Sequence, residues 1–190
     1  MAWRNARIRL QERLRRLRLQ SDTRQRAFVR PIHDNIVLPT FLFEFTFDTT
    51  RAVVNMLYHG IFRRYPRIRW LLAHAGGAIP FLSYRTSLFT LTPVAAQNLG
   101  LPVLNELEVL GSYADLYYDT ALSPAPAAMK SVREVTDVSH VMFATDWPFS
   151  APVFVVPGNP APQLADSFNA TELQQVNRGN VLREFPRLGA

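Results

Sequence analysis

Two apolar runs in this chain end in the same way, and that ending constrains the fold more than any other feature. Ile68-Arg69-Trp70-Leu71-Leu72-Ala73 leads into His74 and then Ala75-Gly76-Gly77. Val141-Met142-Phe143-Ala144-Thr145 leads into Asp146 and then Trp147-Pro148. Each run is β-type, delivers one titratable side chain at its C-terminal end, and stops at a chain breaker. Buried strands that present polar residues at their C-terminal ends belong to parallel α/β proteins, whose chemistry sits at the strand mouths. His74 and Asp146 are therefore the candidate catalytic residues. An imidazole titrates near neutral pH, and a carboxylate binds a cation or passes a proton.

The remaining chain alternates around these two runs. Ala27-Phe28-Val29-Arg30-Pro31 reads as a short strand over 27–30, followed by an aromatic loop over 32–47. Asp48 predicts the cap of a helix from Thr49 to about Arg64, with Val53, Val54, Leu57, Ile61 and Phe62 on one side. The strand over 68–74 comes next. The spacing then predicts a helix over 79–91 with Pro80 near its first turn, a loop over 92–104 and a short helix over 105–111. A third strand falls at 115–119, and Ser123-Pro124 opens a helix to about Val135. The strand over 140–145 and a proline-rich loop over 148–162 follow. Thr171-Glu172-Leu173-Gln174 matches a capping box for a last helix to about Phe185. Strands alternating with helices imply a parallel sheet with crossovers. Four βα units make half of an eight-unit barrel, and a full barrel needs about 250 residues.

Charge divides the chain at the same place as pattern. The formal net charge of 190 residues is +6. Residues 1–30 hold ten arginines against Glu12 and Asp22, while residues 31–190 hold eleven Lys/Arg against thirteen Asp/Glu. A basic helical head over 1–26, with Ile8, Leu10, Leu14 and Leu17 as a narrow apolar stripe, thus precedes a near-neutral domain over 27–190. The head offers a surface for nucleic acid or acidic lipid, but the body has no matching basic excess, so neither is the expected partner. No apolar run reaches the 18 or so residues of a membrane span. The arginine-rich start lacks the apolar core of a signal peptide, and the chain has no cysteine for disulfides or thiolate metal sites. A cytoplasmic location is expected.

Longer blocks carry a family resemblance. LFEFTFDTTRAVVNMLYHGIFRRYPRIRWLLAHAGGAIPFL, LYYDTALSPAPAAM, HVMFATDWPF and VNRGNVLREFPRL occur in this order between residues 42 and 188. They resemble the C-terminal half of the amidohydrolase-related (amidohydrolase 2) proteins, in the aminocarboxymuconate-semialdehyde decarboxylase-like branch. Within that branch they are most similar to the fungal 6-methylsalicylate decarboxylases. The resemblance implies the C-terminal half of a metal-dependent (β/α)8 barrel and an enzyme, a carboxy-lyase acting on a small aromatic acid. It also implies a divalent metal, zinc or manganese, and a homodimer. Asp146 corresponds to the family's metal-binding and acid/base aspartate, and His74 to a histidine that positions substrate or water and moves protons. Arg85 corresponds to an arginine that in some members reaches across a dimer interface to a substrate carboxylate. Phe149 corresponds to an aromatic of the substrate pocket.

Departures from that pattern point to other readings. There is no His-x-His among the 190 residues, and Arg30 stands where the family's fifth-strand metal histidine is expected. A guanidinium stays protonated and cannot ligate a cation. His33, three residues on, is a weak substitute. A truncated, catalytically silent half-barrel is the alternative that these departures favour. A metal-dependent hydrolase of the same superfamily is another. No phosphate-binding glycine pattern and no nucleophile elbow competes with them.

Overall fold

The computed structural model describes residues 42–149 and 161–189. The basic head, the expected strand over 27–30, Arg30, His33 and most of the proline-rich loop lie outside the described residues. Within them, helices surround a small parallel sheet. The order is α1 (Glu44–Tyr58), α2 (Ile61–Arg64), β1 (Leu71–Leu72), α3 (Ile79–Ser87), α4 (Pro93–Asn98), α5 (Glu106–Ala114), β2 (Tyr117–Asp119), α6 (Pro126–Val135), β3 (Val141–Met142), α7 (Ala170–Gln174) and α8 (Asn180–Glu184).

The sheet runs β1-β2-β3, all parallel, with Leu71 opposite Tyr117 and Asp119 opposite Met142. Parallel neighbours need crossovers, and helices supply them: α3 to α5 between β1 and β2, and α6 between β2 and β3. The strands are shorter than their apolar runs. Pairing continues past them through Tyr117 N–H to the Trp70 carbonyl (2.9 Å) and Thr120 N–H to the Met142 carbonyl (3.1 Å). Ile79, Tyr113, Tyr118, Met129, Val132 and Val141 are fully buried between sheet and helices. The Tyr118 hydroxyl donates to the Tyr113 carbonyl at 2.7 Å, and burial pushes its pKa well up. A buried hydroxyl without a partner would be costly, so this bond permits a tyrosine in the core.

Local chemistry moves several expected boundaries. The first helix begins at Glu44, not at Asp48, which lies inside it and pairs with Arg51 at 2.7 Å. Phe43 and Phe47 pack edge-to-face one turn apart, and the Thr46 hydroxyl donates back to the Phe43 carbonyl, so the aromatic segment coils instead of forming a loop. Gly60, at φ +68°, breaks the helix before Ile61. Its apolar face is as expected, with Val53 and Leu57 buried and Val54 and Phe62 packed against the core. The expected loop over 92–104 contains α4, which has Pro93 in its first turn. The helix expected from Ser123-Pro124 starts two residues later, at Pro126. The last capping box is built by Asn169 with Glu172, not by Thr171. A matching box, Asn105 with Glu108, opens α5, which runs to Ala114 rather than to residue 111.

Two glycines and one asparagine hold the sheet in place. Gly76 has φ +75°, and a Cβ there would lie 2.6 Å from the Tyr118 ring. A Cβ on Gly77 would overlap the Thr46 carbonyl of α1, so the turn after β1 is the seat on which α1 rests. At the other end of the sheet, Asn180 is buried and its Nδ2 donates to the carbonyls of Val138 (2.8 Å) and Val141 (2.7 Å). Asn180→Leu removes both bonds at similar volume and leaves the Val141 carbonyl without this donor, while the Val138 carbonyl keeps the Val141 N–H. It should lower unfolding free energy by about 2–4 kcal/mol, read as a drop in urea midpoint with unchanged slope. Gly76→Ala should cost at least about 2 kcal/mol, because left-handed strain and a clash add. An unchanged midpoint in either variant would contradict the packing described.

Candidate functional site

The C-terminal ends of the three strands bring three titratable side chains to one mouth. Ala73 leaves β1 extended, and His74 and Ala75 then take left-handed backbone angles, φ +56° and +57°. Asp146 follows β3 with φ +63°. Such angles are uncommon in residues other than glycine and collect where a side chain must be aimed. Between them, β2 ends in Asp119-Thr120.

Asp119 was not among the residues expected to act, yet it links the ends of β1 and β2. It is only 8% exposed. Its Oδ1 accepts the backbone N–H of His74 at 2.7 Å and that of Ala121 at 3.0 Å. The Ala121 carbonyl lies 3.0 Å from His74 Nδ1. Burial pushes the Asp119 carboxyl above the usual range. The two N–H groups and the His74 charge pull it down, and the negative charge of Asp146 adds to the push. On the other flank, the Thr120 hydroxyl donates to the Ala144 carbonyl (2.9 Å) and accepts the Ala144 N–H (3.0 Å), two residues before Asp146. One signal would have exposed this pair. Leu116-Tyr117-Tyr118 is a third apolar run that ends in a carboxylate, the pattern already recognised for His74 and Asp146.

The other candidates lie elsewhere. Arg85 is exposed on α3 and lines a groove of about 350 Å3 with Tyr58, His59 and Phe89. Phe149 is 80% exposed and Trp147 74%. His59 caps the end of α1 through Nδ1, 2.7 Å from the Asn55 carbonyl. His140 stands at the start of β3, stacked on Tyr117 with centroids 4.5 Å apart, and its Nδ1 donates to the Leu116 carbonyl at 3.1 Å. Both histidines are structural.

The donor set decides what the mouth can hold. Among the described residues, no three His, Cys, Asp or Glu side chains come together as a metal site. Asp119 already spends Oδ1 on two peptide donors. The Asp119 Oδ2 and the Asp146 carboxylate do not by themselves make up a site, since structural or catalytic zinc sites use three or four protein ligands. The described residues alone therefore do not fit the divalent ion that the sequence resemblance implies. The His74 imidazole and the Asp146 carboxylate, both close enough to act on the charge of Asp119, are groups able to carry protons.

Comparison with known proteins places this arrangement. The amidohydrolase family (Amidohydro_2) matches residues 37–183. The 6-methylsalicylic acid decarboxylase of Penicillium expansum is 31% identical over 173 residues, covering 85% of this chain and 50% of that protein. The chain thus spans about half the length of this curated relative. Among solved structures, the 5-carboxyvanillate decarboxylase of Sphingomonas paucimobilis superposes with a TM-score of 0.61 at 25% identity, over 85% of this chain and 45% of that one. The 5-carboxyvanillate decarboxylase of Novosphingobium aromaticivorans, solved with manganese and a nitrobenzoic acid, shares the fold with a TM-score of 0.64 at 19% identity, over 80% and 45%. No helix among the described residues is long and apolar enough to cross a membrane.

The elevated Asp119 carboxyl predicts a pH dependence. A carboxyl raised by folding contributes stability that is fully present below the unfolded value of 3.8 and is lost as pH rises through the folded value. Asp119→Asn keeps an oxygen for both N–H groups and removes the buried charge. It should melt above the wild type near neutral pH, with the gap closing as pH falls toward about 4. Thermal melts of both proteins across this range check the sign; a variant that melts lower at neutral pH would overturn it.

Proposed function

The chain belongs to the amidohydrolase family, and from that membership we propose that it is the C-terminal part of a carboxy-lyase that decarboxylates a small aromatic acid such as 6-methylsalicylate. The observation that carries the proposal is the meeting of His74, Asp119 and Asp146 at the mouth of one parallel sheet. In this reading the sheet is the second half of a (β/α)8 barrel, and the domain runs over residues 27–190.

Each residue then has a defined task. Decarboxylation breaks the bond between ring carbon and carboxylate carbon, leaves the electron pair on the ring and puts a proton there. Protonating the ring interrupts its aromaticity, so the acid must be positioned before the bond breaks. Asp146 delivers that proton to the ring carbon. His74 returns a proton to Asp146 from solvent, through an imidazole already oriented by its neighbours. Phe149 offers an aromatic face to the ring.

Arg85 fits a role between subunits. It has no ion-pair partner among the described residues, and the same helix exposes Phe81 (83%) and Tyr84 (64%). A guanidinium binds a carboxylate with two parallel hydrogen bonds, and an outward-facing one serves a neighbouring copy better than its own mouth. We therefore include a homodimer in the proposal.

A second reading has its own observation. With no three-ligand group among the described residues, the chain also fits a catalytically silent half-barrel. Carbon dioxide release from 6-methylsalicylate by the purified, folded chain with added manganese separates the two. Under the proposal, turnover falls by at least about 100-fold in Asp146→Asn and in His74→Asn. A folded chain that binds the acid but releases no carbon dioxide would leave the silent half-barrel standing.

A further inference from the structure

We propose that Asp119 is a positioning residue that fixes the tautomer of His74, protonating Nδ1 and leaving Nε2 as the free acceptor at the strand mouth. The inference rests on the reading of His74 as the proton carrier and goes further by naming the atom that acts and the residue that selects it.

Three bonds close a small frame between β1 and β2. The carboxylate of Asp119 accepts the N–H of His74 at 2.7 Å and the N–H of Ala121 at 3.0 Å. Ala121, thus held, places its carbonyl 3.0 Å from His74 Nδ1. A carbonyl oxygen only accepts, so Nδ1 must carry the proton of this bond. A neutral imidazole has one N–H, which leaves a lone pair on Nε2. No hydrogen bond to Nε2 occurs among the described residues, whereas Nδ1 is committed.

The backbone supports the same conclusion. His74 sits at φ +56° and Ala75 at φ +57°. Left-handed angles in two successive non-glycine residues persist only where their surroundings over-determine them. The Asp119 carboxylate does so from one side, and the Gly76 turn against Tyr118 does so from the other. Removing the carboxylate leaves the N–H groups of His74 and Ala121 without this acceptor, frees residues 119–121 from residue 74, and removes the reason for the ring to point its Nδ1 at Ala121. The clamp keeps its carboxylate in a buried place, only 8% exposed. Its use of both the backbone and the ring of one histidine ties it to the direction in which that ring works.

Histidine nitrogen NMR tests the inference directly. With the chain labelled at its imidazole nitrogens, and the His74 signals assigned by their loss in His74→Asn, two-bond proton–nitrogen spectra at about pH 8 report the tautomer of the neutral ring. In the wild type, His74 should be protonated at Nδ1 and bare at Nε2. Asp119→Asn retains an acceptor oxygen and should keep that form. Asp119→Ala should raise the Nε2–H population by about tenfold, the size of one lost hydrogen bond. A wild-type His74 protonated at Nε2, a tautomer switch in Asp119→Asn, or a folded Asp119→Ala with an unchanged tautomer would each overturn the proposal. Should Asp119→Ala not fold, the wild-type and Asp119→Asn spectra still decide. None of these spectra needs turnover, so a chain without decarboxylase activity leaves the tautomer result standing, and a wrong tautomer leaves the decarboxylase reading to its own assay.

Discussion

A carboxylate held among peptide N–H groups governs the mouth of this sheet. The strands are two or three residues long, so their backbone ladder is short. Side chains extend it where it stops. Asp119 ties the end of β2 to the end of β1, and Thr120 ties it to the segment after β3. Asn180 fastens β3 from the opposite side. These bonds place His74 and Asp146, because a residue with a left-handed backbone aims its side chain only as well as its neighbours restrain it. The arrangement keeps an ionisable group in a buried place, where its charge is disfavoured, and two charge-assisted N–H bonds offset part of that penalty.

What could be read from the sequence follows from how local each feature is. The strand runs ending in His74 and Asp146, the proline-opened α3 and the apolar face of α1 depend on spacing within one segment, and all were legible. The boundaries that moved depended on competition between neighbouring signals. Asp48 is a good cap in isolation, but Phe43 packing on Phe47 and the hydroxyl of Thr46 carry the helix past it. Thr171 loses to Asn169 because Asn169 accepts two N–H groups, from Thr171 and Glu172, while Glu172 returns the bond. Asp119 was missed for a different reason. The run Leu116-Tyr117-Tyr118 marks it as a strand-end carboxylate, but its partner His74 lies 45 residues earlier in the chain, and that pairing only the fold reports.

An open parallel sheet is an unusual surface. Parallel strands are normally covered on both faces and paired on both sides, since they present apolar side chains and unpaired peptide groups. Among the described residues β1 pairs only with β2, and Leu71 is 48% exposed. The exposed apolar residues Phe81 and Tyr84 lie on the helix that follows β1. Among the described residues β2 is paired on both sides while β1 is paired on one, and exposed apolar groups occur beyond β1 and its helix too, as at Leu107 on α5.

That asymmetry divides the chemistry in the proposed reaction. Its proton transfer needs one acid and one base, the parts that the proposal gives to His74 and Asp146. Binding a divalent ion needs three or four ligands converging on a point, and no such group occurs among the described residues. Asp119 commits Oδ1 to the two N–H groups that orient the His74 backbone, and its Oδ2 takes no part in that clamp. The hydrogen bonds at 2.7 and 3.0 Å assign Oδ1 to orientation, and further donors to an ion have to come from outside the described residues.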